Sequence, residues 1–384
     1  MDYDVIIVGG GLAGLALAVA LRRSRLRVAL VEGRAPQKPV GWDARVYAIS
    51  PANARFLEGI GIWPHLDGAR MVPVRKMAVR GDTGGALDFS AYDCGVGELA
   101  WIMESALLQG ELWESARRQG NLDLLCPASP ATLDIAADCA TLTLADRRRL
   151  TGRLVVAADG ADSWTRTAAG IAVDFRNYDQ MGVVANFRVE RPHRETAWQW
   201  FSADGVLAWL PLPGNLISIV WSTPTAHARE LLALPPDEFC LRVAAAGGEI
   251  LGALALETAP AGFPLRLMRA PQTVAPRLAL IGDAAHTIHP LSGHGINLGF
   301  QDAQSLATTL EGCPTHIDCG DVQWLRRHER ARAEEVVLLQ TATEGLQRLF
   351  SAEVGPLMLL RNAGMNFIDR LPVIKNVLTR YAMG

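Results

Sequence analysis

The stretch that decides the fold is Asp4-Val5-Ile6-Ile7-Val8-Gly9-Gly10-Gly11-Leu12-Ala13-Gly14. Its apolar run ends in three glycines, a helical pattern follows from Leu12 to Arg23, and residues 27–32 form a second apolar run. Strand, glycine-rich turn, helix and strand make up the βαβ unit of a parallel sheet. The beginning of the chain is therefore predicted to form a Rossmann-like α/β domain.

The glycine spacing within this unit predicts dinucleotide binding. Gly9 allows the tight turn, Gly11 lets a pyrophosphate approach backbone N–H groups, and Gly14 lets the helix pack closely on the strand. Glu32 ends the second apolar run, where its carboxylate can bind the ribose hydroxyls of an ADP moiety. The pattern does not distinguish FAD from NAD. A second pattern, Gly95-x-Gly97-x-x-Ala100, follows no apolar run, so one dinucleotide fold is expected.

Two later apolar runs are predicted to be strands of the same sheet. Residues 153–158 stop at Asp159-Gly160, and residues 277–281 stop at Gly282-Asp283. Nearly continuous apolar strands are typical of a sheet that is covered on both faces. Asp283 at a strand end can accept hydrogen bonds from ribityl or ribose hydroxyls, and the alternative for this residue is a helix N-cap.

Residues 174–270 have a different pattern, with short alternating stretches that predict an antiparallel sheet. Each stretch has one wide apolar face, formed by Trp198 and Trp200, by Leu207 and Trp209, and by Ile217, Ile219 and Trp221. Two interpretations remain open: these faces wall a hydrophobic pocket, or they form a core that packs on helices. After Gly299 the pattern is helical to the end of the chain.

Composition excludes several function classes. The 384 residues allow roughly two or three domains, and 37 Lys+Arg against 40 Asp+Glu give a net charge of −3. This charge provides no basic field for nucleic acid. Six scattered cysteines lack metal-ligand spacing, so no metal site is expected, and the chain shows no signal-peptide pattern. A cytoplasmic location is expected, and no apolar run reaches the length that crosses a bilayer.

Two further motifs carry a resemblance to a known family. Asp159 to Arg166 fits D-G-x-x-S-x-x-R, and the segment that starts at Gly282-Asp283 continues through Pro290, Gly293, Gly295, Asn297, Gly299 and Asp302. Together with the first glycine motif, these segments resemble the single-component FAD-dependent aromatic hydroxylases. Residues 43–50, 210–213, 282–299 and 361–372 make the chain similar to the UbiH/UbiF/VisC-type ubiquinone-biosynthesis hydroxylases, and this resemblance covers residues 3–384.

The resemblance implies FAD as the cofactor and NAD(P)H as a transient co-substrate. It implies hydroxylation of the aromatic ring of a polyprenylated phenol by O₂, through a flavin C4a-hydroperoxide. It identifies no catalytic base. It assigns cofactor binding to Gly9, Gly11, Leu12, Ala13, Gly14, Glu32, Arg45, Asp159, Gly160, Gly282, Asp283, Pro290, Gly293, Gly295, Ile296 and Asn297.

Part of this assignment also follows from helix electrostatics. A helix that begins near Gly295 would point its positive dipole end at the flavin and would stabilise the negative charge of the reduced form. For Arg45 the resemblance suggests contact with FAD or the nicotinamide cofactor, and the alternative is a surface arginine. His286 and His289 are candidates for an acid/base role, but structural hydrogen bonding is the preferred role for His286.

Two positions depart from the family pattern. His294 stands where relatives have Gln, and its role is left open. Glu104-Ser105-Ala106 stands where relatives have Glu-Asn-Arg, so a side-chain contact to FAD is expected to be missing.

The predicted organisation is a discontinuous FAD-binding domain, an interleaved antiparallel-sheet substrate domain and a helical C-terminus. The first comprises residues 1–75, 97–173 and 272–330, the second residues 76–96 and 174–271, and the third residues 331–384. Within the last, residues 353–384 carry Arg361, Arg370, Lys375 and Arg380 among apolar residues. A basic amphipathic segment of this kind lies on a membrane surface or docks on a partner, here a ubiquinone-biosynthesis complex. The alternative is that it caps its own substrate domain.

Three other functions are compatible with the same motifs. The first is a FAD hydroxylase of a soluble aromatic or polyketide-like substrate. The second is a flavin reductase of prenyl double bonds, and the third is a non-catalytic FAD-binding scaffold.

Overall fold

The computed structural model of the protein describes residues 1–38, 41–82, 84–202, 204–288 and 295–351. These residues form two large sheets, one small sheet and the helices that pack on them.

The first large sheet contains the predicted parallel strands. In spatial order they are β18 (Val274–Ala275), β19 (Leu278–Leu280), β11 (Arg149–Ala157), β1 (Tyr3–Val8), β2 (Val28–Val31) and β8 (Leu122–Leu125). From β19 to β8 all neighbours are parallel. β11 also pairs with β10 (Ala140–Leu144), which pairs with β9 (Pro130–Ile135), both antiparallel.

Both faces of this sheet are buried, as the continuous apolar runs predict. Val5 and Ile7 pack in a core with three helices, α1 (Leu12–Ala20), α4 (Ser105–Arg117) and α8 (Gly295–Glu311). Their neighbours Ile6 and Val8 point to the opposite face, where the β9–β10 hairpin covers them. Because side chains alternate across a strand, a run without polar residues fits a strand whose two faces are both buried.

The second large sheet confirms the prediction of antiparallel strands after residue 174. Its spatial order is β20 (His286–Thr287), β17 (Ala261–Arg269), β12 (Asp174–Val189), β15 (Leu216–Pro224), β14 (Gly205–Leu212), β13 (Thr196–Ser202), β5 (Lys76–Arg80) and β6 (Ala86–Ser90). β16 (Leu254–Leu256) pairs with β12. Only the contact between β13 and β5 is parallel among these described strands.

The tryptophan-rich faces of β13–β15 form one common face. Trp198 is paired with Trp209 and Trp200 with Leu207, and the Trp200 and Trp209 rings meet edge to face at 5.0 Å. This face is covered by helices α6 (Thr225–Ala233) and α7 (Pro236–Ala246). The interpretation as the wall of a pocket is therefore wrong, and the alternative of a core packed on helices is confirmed.

The small sheet connects the two halves of the molecule. It consists of β3 (Val46–Ile49), β7 (Ala100–Glu104) and β4 (Met71–Val74), all antiparallel. Its side chains form a core with Ala197, Leu212 and Leu216. These three residues lie on the face of the substrate sheet that is opposite the tryptophan-rich face. Strand membership supports our proposed division into a FAD-binding domain and a substrate domain, although β20 pairs with the substrate sheet.

The remaining helices are α2 (Pro51–Gly59), α3 (Ala91–Cys94), α5 (Trp164–Ala168) and α9 (Val322–Ser351). The prediction of a helical C-terminal part is confirmed by α8 and α9. No helix within the described ranges is both long enough and apolar enough to span a bilayer. The basic amphipathic segment at residues 353–384 lies outside the described residues.

Candidate cofactor-binding site

Three glycine-containing turns meet at one edge of the parallel sheet. β1, β11 and β19 are parallel neighbours, with Val8 opposite Ala157 and Ala157 opposite Leu280. Gly9, Asp159 and Gly282 follow these three strands. Because the carboxyl ends of parallel strands share one edge, segments that are far apart in sequence come together where open α/β sheets bind ligands.

The first turn has the close packing that the glycine motif predicts. Gly9 has a φ of +111°, and a Cβ atom on Gly14 would lie 2.1 Å from the Gly9 carbonyl oxygen. No side chain in the described part of the chain caps the N-terminus of α1 at Gly11. Its backbone N–H groups and the positive end of the helix dipole therefore suit a pyrophosphate.

A cleft of about 500 Å³ lies beside this turn. Its lining includes the predicted residues Gly9, Gly11, Glu32, Asp159 and Gly160. Glu32 Oε2 accepts a hydrogen bond from Gly10 N at 2.6 Å, and its Oε1 accepts one from Arg34 N at 2.9 Å. These bonds fix the carboxylate at the cleft wall while leaving it acceptor capacity for ribose hydroxyls.

Gln109 on α4 is a cleft residue that the sequence analysis missed. Its Nε2 donates to the Gly10 carbonyl oxygen at 3.0 Å, and its side chain lines the same cleft. No local motif marks it, because its role depends on α4 packing beside α1.

The carboxylate of Asp159 organises its own loop. It accepts hydrogen bonds from Ser163 Oγ, and from Thr165 N and Thr165 Oγ1 at 2.9 Å each. The buried Arg166 donates to Ala161 O and to Ala284 O, both at 2.9 Å. Arg166 therefore ties the second motif to the third. The D-G-x-x-S-x-x-R pattern contains this arginine, but sequence reasoning gave it no role.

The third turn contains Asp283, on which the charge of Arg45 acts. Gly282 lies against α1, where an added Cβ would be 3.1 Å from Ala13 Cβ. Asp283 is solvent-accessible, yet desolvation by the surrounding protein raises its pKa, and the charges of His286 and Arg45 oppose that rise. Asp283 lies inside the turn Gly282–Ala284, whose N-cap is Ile281, so the alternative of a helix N-cap is wrong.

A buried ionic network supports this turn from behind. Asp302 on α8 accepts from Gly282 N at 3.0 Å, from His286 Nε2 at 2.7 Å and from Arg332 Nε at 2.8 Å. Burial alone would raise the pKa of Asp302, but His286 and Arg332 outweigh it and hold that pKa far below its usual range. Burial likewise disfavours a charged His286, but Asp302 raises its pKa overall. The preferred role of His286 in structural hydrogen bonding is confirmed.

The helix predicted to begin near Gly295 does begin there, as α8. The side-chain amide of Asn297 bonds to Ser50 N at 2.9 Å and to Ala48 O at 2.8 Å, so a cofactor contact would come from its backbone. Leu12 is buried, and Ile296 is half-buried against the same core. Pro290, Gly293, His289 and His294 lie outside the described residues.

The donor set fits FAD. The cleft joins a glycine turn, an uncapped helix N-terminus and an acidic residue for ribose, which together suit an ADP moiety. Asp283, in the turn after β19, offers a carboxylate for the ribityl hydroxyls, and α8 offers a helix N-terminus for the flavin.

Comparisons with known proteins agree with this geometry. A family model described as FAD binding domain matches residues 2–314, and a model described as squalene epoxidase matches residues 256–377. Ubiquinone hydroxylase UbiL of Rhodospirillum rubrum is 34% identical, with 99% of this chain and 89% of the relative covered. The 3-demethoxyubiquinol 3-hydroxylase of Escherichia coli is 32% identical, with 99% and 98% covered.

Solved structures share the fold. PqsL of Pseudomonas aeruginosa aligns with a TM-score of 0.79 at 23% identity, covering 95% of this chain and 99% of that one. The p-nitrophenol 4-monooxygenase PnpA of Pseudomonas putida aligns with a TM-score of 0.80 at 18% identity, covering 100% and 98%. The chain therefore belongs to the FAD-dependent aromatic hydroxylase family, in the group of the ubiquinone-biosynthesis hydroxylases.

Proposed function

We propose that this enzyme hydroxylates the aromatic ring of a polyprenylated phenol in ubiquinone biosynthesis, with FAD, NAD(P)H and O₂. The observation that carries the proposal is the meeting of three cofactor turns at one sheet edge, in a chain whose relatives over its full length are named for this pathway.

Different residues of the chain would bind different parts of FAD. The Gly9–Gly14 turn would bind the pyrophosphate and Glu32 the adenosine ribose, while Asp283 and the N-terminus of α8 would hold the flavin end. Bound there, FAD supplies hydride acceptance from NAD(P)H and activation of O₂. The protein contributes binding, orientation and exclusion of water.

Within the site, the described residues favour negative charge at the flavin end. The first turn of α8 carries backbone N–H groups and the positive end of the helix dipole. Preorganised donors of this kind stabilise developing negative charge without a change in protonation.

The proposal is tested by function in a host that lacks the corresponding hydroxylase. We expect this chain to restore ubiquinone synthesis, and ¹⁸O₂ to label the new ring hydroxyl. Accumulation of an unlabelled, reduced prenyl chain would instead favour the reductase alternative. Activity on soluble phenols without rescue would favour the soluble-substrate hydroxylase.

We further propose that the enzyme is cytoplasmic and binds peripherally to the inner face of the membrane or to a ubiquinone-biosynthesis complex. The lipophilic precursors implied by its relatives' names support this, as does the basic amphipathic sequence of residues 353–384. Truncation after Phe350 should shift the protein to the soluble fraction, and unchanged fractionation would contradict the proposal.

A further inference from the structure

Residues 41–45 form a short segment that leads into β3 and carries Arg45. We call residues 41–45 the arginine segment. Three separate parts of the chain bind its backbone: the turn before β4, the β7–α4 junction and the substrate sheet. Such dense bonding is unusual for an exposed connection, because loops usually depend on water for their backbone groups.

The first set of contacts comes from an ion pair between the partly exposed Arg70 and the buried Glu104. Glu104 is 1% exposed, and its two oxygens accept from Arg70 Nε at 2.6 Å and from Arg70 Nη2 at 2.8 Å. Each partner also reaches the arginine segment: Arg70 Nη2 donates to Gly41 O at 2.8 Å, and Asp43 N donates to Glu104 Oε1 at 2.6 Å. The Arg70 guanidinium additionally lies 4.4 Å from the centre of the Trp42 ring.

The second set of contacts fixes Arg45 on both sides of its Cα atom. Arg45 N donates to Asp43 Oδ1 at 2.9 Å, and Arg45 O accepts from Ser105 N at 2.9 Å. The other oxygen of Asp43 accepts from Ala106 N at 3.1 Å. The first turn of α4 thus supplies two backbone donors to the segment.

The third contact comes from the substrate sheet. Asn186 on β12 is fully buried, and its Nδ2 donates to the Asp43 carbonyl oxygen at 2.8 Å. The arginine segment is therefore bound to both halves of the molecule.

We propose that Arg70 and Glu104 are positioning residues that hold the arginine segment so that Arg45 presents its guanidinium to a phosphate group of a dinucleotide. This inference rests on the proposed function. The missing side-chain contact to FAD at Glu104-Ser105-Ala106 stays a prediction, and these residues bind the backbone and the Asp43 carboxylate of the arginine segment instead. The phosphate belongs to FAD or to NAD(P)H, and the two sources give different readouts.

The test is a double-mutant cycle of R45M, R70M and the combined variant, measured on two quantities. One is the FAD dissociation constant from the change in flavin fluorescence, and the other is the rate of flavin reduction as a function of NAD(P)H at saturating FAD. If the phosphate belongs to FAD, R45M should raise the FAD dissociation constant by about tenfold or more, because one charge-assisted hydrogen bond is lost. A phosphate of NAD(P)H predicts a similar rise in the half-saturating NAD(P)H concentration.

Positioning predicts a specific pattern in this cycle. R70M should impair the same quantity as R45M, and the combined variant should be no worse than R45M, because residues that act through each other are not additive. R70K keeps the charge but lacks the planar fork, so it should fold and show a smaller loss of the same quantity. R117M is the matched control, since it removes an exposed ion pair with Glu114 on the same helix α4, and it should change neither quantity.

Two results would overturn the inference. If the combined variant shows the product of the R45M and R70M fold-changes, then Arg70 acts on general stability and not through Arg45. If R45M changes neither the FAD dissociation constant nor the half-saturating NAD(P)H concentration, both this inference and the role of Arg45 are wrong. The proposed function would still be decided separately, by ¹⁸O₂ incorporation into the ring.

Discussion

Acid should destabilise this protein through one buried histidine, His328. The residue lies on α9, 2% exposed, with its Nδ1 3.0 Å from Ser305 Oγ on α8. Burial, together with the nearby charges of Arg332 and His286, lowers its pKa to about 4, against the attraction of Asp302. An unfolded histidine has a pKa of about 6.5.

Stability falls in acid because the unfolded chain then binds more protons than the folded chain. Between pH 6.5 and 4 the unfolded chain binds a proton at His328 that the folded chain excludes, so stability falls as the pH falls. With these two pKa values the loss is about 2 kcal/mol between pH 7.5 and pH 5.0, and about 3 kcal/mol by pH 4. His286 acts in the opposite direction: its raised pKa gives stability that is present at low pH and lost as the pH rises through the folded value.

The assay is urea unfolding at pH 7.5 and pH 5.0, at one fixed saturating FAD concentration, for the wild type and H328Q. Glutamine retains a hydrogen-bonding group for Ser305 but does not titrate. H328Q should therefore lose about 2 kcal/mol less than the wild type between the two pH values, whatever its stability at pH 7.5. The exposed His65 provides the control, and H65Q should follow the wild type. Equal losses for wild type and H328Q would refute the reasoning.

Three further outcomes test the fold and the site. G14V should abolish FAD binding, because its Cβ would lie 2.1 Å from the Gly9 carbonyl oxygen, and the purified variant should be colourless in absorption spectra. D302N should lower the free energy of unfolding by about 3–5 kcal/mol in denaturant titrations, since it removes the buried carboxylate that pairs with both His286 and Arg332 and leaves Arg332 paired with Glu335. F239A, on the helix-covered face of the substrate sheet, should cost about 3–5 kcal/mol in the same titrations while the FAD dissociation constant stays unchanged.

The sequence alone determined the features that depend on near neighbours. The βαβ unit, the turns after β1, β11 and β19, and the start of α8 at Gly295 all follow from local apolar runs and glycine positions. The unbroken apolar runs also determined that the parallel sheet is covered on both faces, since each strand has to bury two sets of side chains.

Only the tertiary structure decided what covers each face and which distant residues meet. Alternation showed that Trp209 and Trp221 lie on an apolar face, but α6 and α7, which cover it, come later in the chain. Asp302 meets Arg332, and Glu104 meets Arg70, through packing of separate elements, so no spacing in the sequence marks either pair. Local periodicity reports the environment that a side chain needs, whereas its partner is set by long-range packing.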